Sequence, residues 1–202
     1  MSSIPVIILG IRRKGSRARQ TLSHLKKIGF KNVKIYYGLD IKTSNPENIK
    51  HNQIVLYNNQ QYLKDFKGDQ VIIAEDDVRI TEPDKLFRHL KGGINGIDRL
   101  VWNRVDKGIT QGAQMIGYDR SGIDRLLSLP LSAGHIDLAI SRRFKEKKSG
   151  PFGIEYIYKD QKRDPKTGEI VGMNKDHRKT KKVEEASRRF DNPTKNSYNR
   201  YK

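Results

Sequence analysis

The fold is decided by the stretch Val71-Ile72-Ile73-Ala74-Glu75-Asp76-Asp77-Val78, a short apolar run that ends in three consecutive acids. An apolar run of this length, bounded by polar residues, is typical of a strand buried on both faces of a sheet. Adjacent carboxylates repel one another unless a cation, a basic cluster or a ligand holds them. Because ligands bind at the carboxyl edge of open α/β sheets, the stretch indicates a site for Mg²⁺ or Mn²⁺ and phosphate. The alternative is an acidic turn in which Asp76 or Asp77 caps the next segment.

Apolar patterns on both sides of this strand alternate between the strand and the helix period. We predict strands at residues 4–11, 33–37, 71–74, 100–102 and 113–118, and helices at residues 16–28, 46–66, 83–90, 121–129 and 136–144. Ser16 can cap the first helix and Gly29 can end it. Repeated βα units predict an α/β fold with a mostly parallel sheet flanked by helices.

Composition predicts one folded domain with a solvated extension. Only 35% of the 202 residues are hydrophobic and 32% are charged, which is a low apolar content for a chain that is packed throughout. We place the domain at residues 1–159 and a basic extension, partly disordered or ordered on binding, at residues 160–202. The turn signal at residues 164–168 could close a hairpin between residues 154–158 and 170–173.

Cysteine is absent from the sequence, which excludes disulfides, thiolate zinc sites and cysteine nucleophiles. The apolar run from Ile4 to Ile11 is too short to span a bilayer. It also lacks the basic region and the cleavage site of a signal peptide. We therefore expect a soluble, cytoplasmic protein, located in the host cytoplasm if its source is viral.

The formal net charge of +18 predicts a polyanionic partner, such as nucleic acid, an anionic membrane surface or a phosphorylated small molecule. No Asp or Glu precedes Asp40. The alternative is a basic surface that serves only solubility. The candidate contacts to a polyanion are all basic side chains: Lys14, Arg19, Arg142, Arg143, Arg178, Lys179, Lys181 and Lys182.

Several sequence blocks occur in a fixed order between residues 4 and 144. They are Val6-Ile7-Ile8-Leu9-Gly10-Ile11-Arg12-Arg13 with Arg17, Tyr36-Tyr37-Gly38-Leu39-Asp40, the acidic stretch at residues 71–78, the block from Gly112 to Leu127, and His135-Ile136-Asp137-Leu138. This ordered set resembles glycosyltransferase family 25, which includes lipopolysaccharide and collagen galactosyltransferases. The resemblance implies a GT-A fold and a nucleotide-sugar donor, most simply a UDP-sugar.

The resemblance also assigns roles to single residues. Asp77, with Asp76 or Glu75 nearby, would hold Mn²⁺ or Mg²⁺ against the leaving diphosphate, and an earlier acid, Glu75 or Asp76, would bind the nucleotide-sugar through its ribose or through a water on the metal. Phosphate would be bound by Arg12, Arg13 and Arg17, for which the alternative is a solvated basic helix start. Asp137 would deprotonate the acceptor hydroxyl if the reaction inverts, and the alternative is a helix amino-terminal acid.

The sequence leaves the roles of two histidines and one tryptophan open. His135 is a metal ligand, a substrate contact or a structural residue. His177 could close over the diphosphate. Trp102 fits the core better than a base-stacking platform.

The charge favours a nucleic-acid acceptor: a hydroxymethylated pyrimidine in DNA, as in some bacteriophage glycosyltransferases, with the target base flipped out. A lipopolysaccharide or other lipid-linked acceptor at the membrane face is the first alternative, because anionic lipids attract the same charge. A metal-dependent nuclease and a non-catalytic nucleic-acid-binding protein are further alternatives from other functional classes.

Overall fold

The computed structural model describes residues 3–12, 16–40, 44–101, 104–106, 109–111, 114–144, 146–149, 154–156, 161–163 and 170–173. The chain divides into two units, Met1–Tyr156 and Ile157–Lys202. The first unit contains the acidic stretch. In the second, the described residues form a pair of strands.

The helices and strands of the described residues follow one another in a βα pattern. The helices are α1 (Ala18–Ile28), α2 (Ile54–Lys64), α3 (Pro83–Leu90), α4 (Arg120–Leu127) and α5 (Ile136–Arg143). The strands are β1 (Val6–Gly10), β2 (Val33–Tyr37), β3 (Gln70–Glu75), β4 (Val78–Ile80), β5 (Ile97–Val101), β6 (Arg104–Asp106), β7 (Ile109–Gln111), β8 (Met115–Asp119), β9 (Lys147–Lys148), β10 (Ile154–Tyr156), β11 (Gln161–Arg163) and β12 (Ile170–Met173).

Six strands form the central sheet in the order β2-β1-β3-β8-β5-β9. The pairs β1–β2, β1–β3 and β5–β9 are parallel, whereas β8 runs antiparallel to both of its neighbours. The sheet is mostly parallel and flanked by helices, as the βα pattern predicted. Its edge strands are β2, where Lys34 is exposed, and the two-residue strand β9.

Side-chain alternation along the strands builds a core on each face of this sheet. Val6, Ile8 and Ile72 pack with α1 and α3 on one face, whereas Ile7 and Ile73 pack with α2, α4 and α5 on the other. Both sets are almost fully excluded from solvent. Burial on both faces explains why β1 and β3 are continuous apolar runs rather than alternating ones.

The predicted bounds of several elements agree closely with the structure. The prediction for β2 and α3 is confirmed to the residue, and β1, β3, β8, α4 and α5 differ by a few residues at their ends. Helix α1 ends at Gly29, whose φ of 118° is the left-handed conformation that glycine adopts at helix ends. Strand β5 lies at Ile97–Val101 instead of residues 100–102, and Trp102 lies outside the described residues.

The predicted helix from Pro46 to Phe66 is wrong over its first turns. The Asn45 side chain accepts from the Ile49 N–H (2.7 Å) and donates to the Ile49 carbonyl (2.9 Å), which closes a loop in place of a helical turn. Asn48 adopts a positive φ of 53° within it. Asparagine side chains compete with the helical hydrogen bonds in this way, so that α2 begins only at Ile54 after a short 3₁₀ turn.

The predicted hairpin is also wrong in its pairing. Strand β12 pairs with β11, while β10 pairs with β4, the short strand that follows the acids. The turn signal at residues 164–168 directly separates β11 from β12, so pairing across it closes the shorter loop. Among the described residues, regular structure past Asp160 therefore consists of β12, at the predicted residues 170–173, and β11, which the sequence pattern did not predict.

Candidate functional site

A cavity of about 330 Å³ opens at the carboxyl ends of β1 and β3. Because β1, β2 and β3 are parallel neighbours, the residues that follow them meet at the same sheet edge. The cavity is lined by the three acids Glu75, Asp76 and Asp77 and by Gly10, Leu39, Asp40, His51, Val55 and Asn58. It therefore joins an acidic end to a wall that is mostly apolar or neutral polar and that also carries the carboxyl group of Asp40. Such a combination is typical of small-molecule sites.

Asn58 of α2 fixes one wall of this cavity. Its Oδ1 accepts from the Leu39 N–H (2.9 Å), and its Nδ2 donates to the Leu39 carbonyl (3.3 Å). The amide lies so close to Gly38 that a Cβ there would stand 2.4 Å from the Asn58 Cγ. The sequence analysis missed Asn58; its only signal was an asparagine within the apolar face of α2.

Asp76 holds the start of α1. Its Oδ2 accepts from the Ser16 hydroxyl (3.2 Å) and the Arg17 N–H (3.4 Å), and its carbonyl accepts from the Thr21 hydroxyl (2.7 Å). The acid thus bonds to a helix about sixty residues earlier in the chain, whereas the alternative interpretation had it capping the following segment. Ser16 acts less as a cap than as a bridge between α1 and Asp76.

Asp77 lies beside Arg17 with half of its carboxylate unsatisfied. Arg17 Nη1 and Asp77 Oδ2 are 3.7 Å apart, and the Asp77 side chain is only 14% exposed. Its Oδ1 is buried and has no hydrogen-bond partner among the described residues. Burial raises the pKa of Asp77, and the negative charge of Asp76 raises it further. The positive charge of Arg17 acts in the opposite direction and lowers this pKa. A buried carboxylate oxygen without a partner is costly, so this atom is suited to bind a cation.

The surroundings of Glu75 disfavour the charged form of its carboxyl group. Burial, followed by the charges of Asp77, Asp137 and Asp76, raises the pKa of Glu75 to about 8. Because Coulomb interactions weaken with distance, the effect of Asp137 places it in the electrostatic neighbourhood of the acids. Asp137 therefore lies near enough to Glu75 to influence its pKa, but it is not among the described residues that line the cavity.

Arg99 of β5 supports the helix that carries Asp137. Its side chain is fully buried, and Nη2 donates to the Asp137 carbonyl (2.5 Å) and the Ser141 hydroxyl (2.9 Å). Arg99 Nε also forms a buried ion pair with Glu146 Oε2 at 2.6 Å. Sequence reasoning missed this arginine, although a charged residue inside an apolar strand was a usable signal.

The remaining predicted residues are dispersed. Arg12 is exposed and its guanidinium lies 4.7 Å from the centre of the Tyr37 ring. Arg19 is exposed on α1, Arg142 and Arg143 are exposed on α5, and His135 is exposed just before α5. Six predicted basic residues, together with Trp102 and His177, lie outside the described residues: Arg13, Lys14, Arg178, Lys179, Lys181 and Lys182.

The three acids suit a divalent ion that is coordinated partly by the protein and partly by a bound substrate. Within the described ranges, no group of three or more His, Asp and Glu side chains is arranged to hold a metal by itself. Mg²⁺, however, is commonly bound by one or two carboxylates, with substrate phosphates and water completing the coordination. The unpartnered Asp77 Oδ1 matches that requirement.

Among the described helices, none combines the length and apolar character that a membrane crossing needs.

Comparisons with known proteins give structural matches only. No family model and no curated protein matches the chain. HddC from Yersinia pseudotuberculosis, solved in complex with GMP-PN, is 11% identical with a TM-score of 0.48, over 76% of this chain and 92% of that chain. A glycosyltransferase involved in glycosylation of the major capsid of PBCV-1 is 10% identical with a TM-score of 0.44, over 72% and 81%. The inositol-1-phosphate CTP transferase from T. maritima is 10% identical with a TM-score of 0.38, over 76% and 69%.

Two of these three proteins are named as transferases. Because all three TM-scores lie below one half, these similarities carry no argument about function. The membership in glycosyltransferase family 25 stays a prediction from the sequence blocks.

Proposed function

We propose that this protein is a metal-dependent glycosyltransferase that moves a sugar from a nucleotide-sugar, most simply a UDP-sugar, to a hydroxyl acceptor. The observation that carries the proposal is Asp77, which lines the cavity beside Arg17 and whose buried Oδ1 has no hydrogen-bond partner among the described residues. A leaving diphosphate needs positive charge, and a carboxylate that lacks a partner needs a cation. A single Mn²⁺ or Mg²⁺ held by Asp77 would meet both needs.

Asp77, with Asp76 nearby, would hold the metal, which when bound neutralises diphosphate charge and acts as a Lewis acid. The guanidinium of Arg17 lies where it can add a hydrogen bond to a phosphate oxygen. Arg12, on the same side of the sheet edge, is a second phosphate contact. The apolar and neutral polar wall formed by Leu39, Val55 and Asn58 suits the nucleoside.

Asp137 would accept the proton of the acceptor hydroxyl in an inverting transfer. The acceptor oxygen then forms its bond to the sugar carbon as the bond from that carbon to the diphosphate breaks. Glu75, whose pKa is raised to about 8, would be protonated near neutral pH and could donate a hydrogen bond into the site. The favoured acceptor is a hydroxymethylated pyrimidine in DNA, with a lipid-linked glycan as the alternative.

The test is a thermal-shift titration with UDP and a panel of UDP-sugars, each with and without Mn²⁺. Ligands that bind the native state raise the melting temperature by mass action, by an amount equivalent to about 2.7 kcal/mol at a hundred times Kd. We expect a rise that requires nucleotide and metal together. Asp77→Asn should abolish it, while Asp65→Asn, at an exposed aspartate that follows α2, should leave it unchanged.

A different pattern would argue against the proposal. If Asp77→Asn kept the full metal-dependent rise, the acid would have no role in holding the metal. If no nucleotide raised the melting temperature of the unaltered protein, the transferase would be excluded in favour of a polyanion-binding protein.

A further inference from the structure

One face of α1 presents only cationic and neutral polar side chains to solvent. Its exposed positions are Arg19, Gln20, Ser23, Lys26 and Lys27, which together we call the α1 cationic face. The apolar residues of the helix point the other way, where Leu25 is fully buried and Leu22 and Ile28 pack against the core. The face therefore contains neither an acid nor an apolar group.

Charge accumulates at this face because the segment around it carries no acid. No Asp or Glu precedes Asp40 in the chain. His24, on the side of α1 next to β4, accepts a hydrogen bond from the Ile80 N–H at 2.9 Å. Burial, followed by the charges of Arg79 and Lys27, lowers the pKa of His24. An anion that approached this helix would meet several cations and no competing carboxylate on the same face.

The start of α1 is attached to the acidic site. Asp76 accepts hydrogen bonds from Ser16 and the Arg17 N–H, and Arg17 pairs with Asp77. Arg19 therefore lies within one helical turn of the residues bonded to the acids. Lys26 follows seven residues later, about 10 Å along the helix axis. The cations thus form a row that leads away from the proposed transfer site.

We propose that the α1 cationic face is the docking surface for the phosphate backbone of a nucleic acid. This inference rests on the proposed function, because it assigns the acceptor class of the same site. Lys and Arg side chains supply most of the affinity of such contacts, with neutral polar groups such as Gln20 and Ser23 fixing the position of the backbone. At about 3.4 Å of duplex axis per nucleotide of one strand, the row spans about three phosphates.

The composition of the face favours nucleic acid over a lipid surface. Helices that lie in a membrane interface place Trp, Phe or Leu in the acyl boundary and basic residues above it. In α1 the apolar residues are already used in the protein core, so the exposed face has nothing to insert. A row of cations on one helix, with no apolar side chain on the same face, fits a regularly spaced phosphate chain.

The test measures binding of a short labelled DNA duplex to the full chain by fluorescence anisotropy at about 50 and 200 mM salt. The variant is Arg19→Gln/Lys26→Gln/Lys27→Gln. Its matched control is Lys64→Gln/Lys67→Gln/Arg125→Gln, which removes three exposed cations from α2, the residues after it and α4. We expect the first variant to weaken binding about tenfold or more, and to lower the slope of log affinity against log salt by about two to three. The control, with the same net charge, should bind nearly as the unaltered protein does.

Three results would overturn the docking surface: no DNA binding by the unaltered protein, equal losses in the two variants, or α1-dependent binding to phosphatidylserine vesicles without DNA binding. The nucleotide and Mn²⁺ thermal shift, measured on the same samples, separates this proposal from the proposed function. If nucleotide and Mn²⁺ raise the melting temperature but the unaltered protein does not bind DNA, only the docking surface is contradicted. If the α1 variant selectively loses DNA binding but nucleotide and Mn²⁺ do not raise the melting temperature, the docking surface is supported and the transferase is contradicted.

Discussion

Glu75 and Asp77 lie in surroundings that disfavour their charged forms. Burial and the neighbouring carboxylates raise the pKa of both, and Arg17 compensates only Asp77. Carboxylates on a purely structural turn would be expected to be solvated or paired. Among the described residues, both acids are largely buried and Asp77 Oδ1 has no hydrogen-bond partner, and acids with perturbed pKa values of this kind are common at functional sites.

The raised pKa of Glu75 predicts that metal-free protein loses stability as the pH rises. The folded state binds the proton more tightly than the unfolded state, so stability is fully present below the unfolded pKa of about 4.5 and falls as the pH approaches 8. We expect a loss of about 2–4 kcal/mol across this window. Urea unfolding at pH 5 and pH 8 in the presence of a chelator measures it.

Glu75→Gln should flatten this pH dependence, because the amide stays neutral throughout. Glu82→Gln, at an exposed glutamate paired with Lys85, is the control and should leave the profile unchanged. If the free energy of unfolding changed equally with pH in Glu75→Gln and in the unaltered protein, Glu75 would not hold its proton at neutral pH.

The sequence identified the candidate functional residues whose role is indicated by the residues next to them in the chain. The three acids were identified because an apolar strand precedes them directly. Asn58 and Arg99 were missed because their partners, Leu39 and Asp137, lie 19 and 38 residues away. A hydrogen bond to a distant backbone leaves no local pattern.

At the scale of elements, one buried arginine connects β5 to α5. Arg99 satisfies the Asp137 carbonyl, the Ser141 hydroxyl and the Glu146 carboxylate, and it therefore determines where the first turn of α5 lies. Asp137 belongs to that turn. The position of the proposed base is thus set by a strand on the opposite side of β8 from the acids.

Arg99→Met should destabilise the protein by about 3–5 kcal/mol, because it leaves the Glu146 charge buried without its partner. Adding Glu146→Leu should recover part of this loss, since the double variant buries no unpaired ion. Arg120→Met is the control: it breaks an exposed ion pair with Asp124 (3.3 Å) and should cost less than about 1 kcal/mol. Guanidinium unfolding curves of these three variants and of Glu146→Leu alone give the four values, and strictly additive losses in the double variant would contradict the assignment.

Element boundaries were predicted best where apolar periodicity decides them. Helix α3 begins at Pro83, a residue suited to a first helical turn, and was located to the residue. The segment from Asn45 to Ile49 was misassigned because an asparagine side chain, rather than the backbone, closes the loop. The hairpin was misassigned because β4, a three-residue strand directly after the acids, was not predicted.

At the scale of the whole molecule, charge opposes folding. A formal net charge of +18 on 202 residues makes the folded chain repel itself. The mostly parallel sheet flanked by helices could be predicted, because strand and helix periods follow local sequence, whereas the order of the strands was not predicted. The pattern of which cations are exposed together could not be predicted either, since it depends on how helices rotate when they pack.

We expect the melting temperature to rise with ionic strength. Raising the salt from about 10 to about 100 mM shortens the Debye length from about 30 to about 10 Å and screens the repulsion. The variant Lys64→Gln/Lys67→Gln/Arg125→Gln carries three fewer charges and should show a smaller rise. Thermal denaturation in sodium chloride measures both, and a melting temperature that falls with salt would show that attractive ion pairs outweigh the net repulsion.

The two edges of the central sheet bear on how the protein behaves in concentrated solution. An open edge strand offers unpaired N–H and C=O groups on which another chain can polymerise. Here one edge presents the exposed Lys34 on β2, and the other, β9, is only two residues long. A charged edge repels its own copy and a very short one offers it little to pair with. The central sheet therefore resists growing into fibrils, which is an advantage for a domain built on continuous apolar strands.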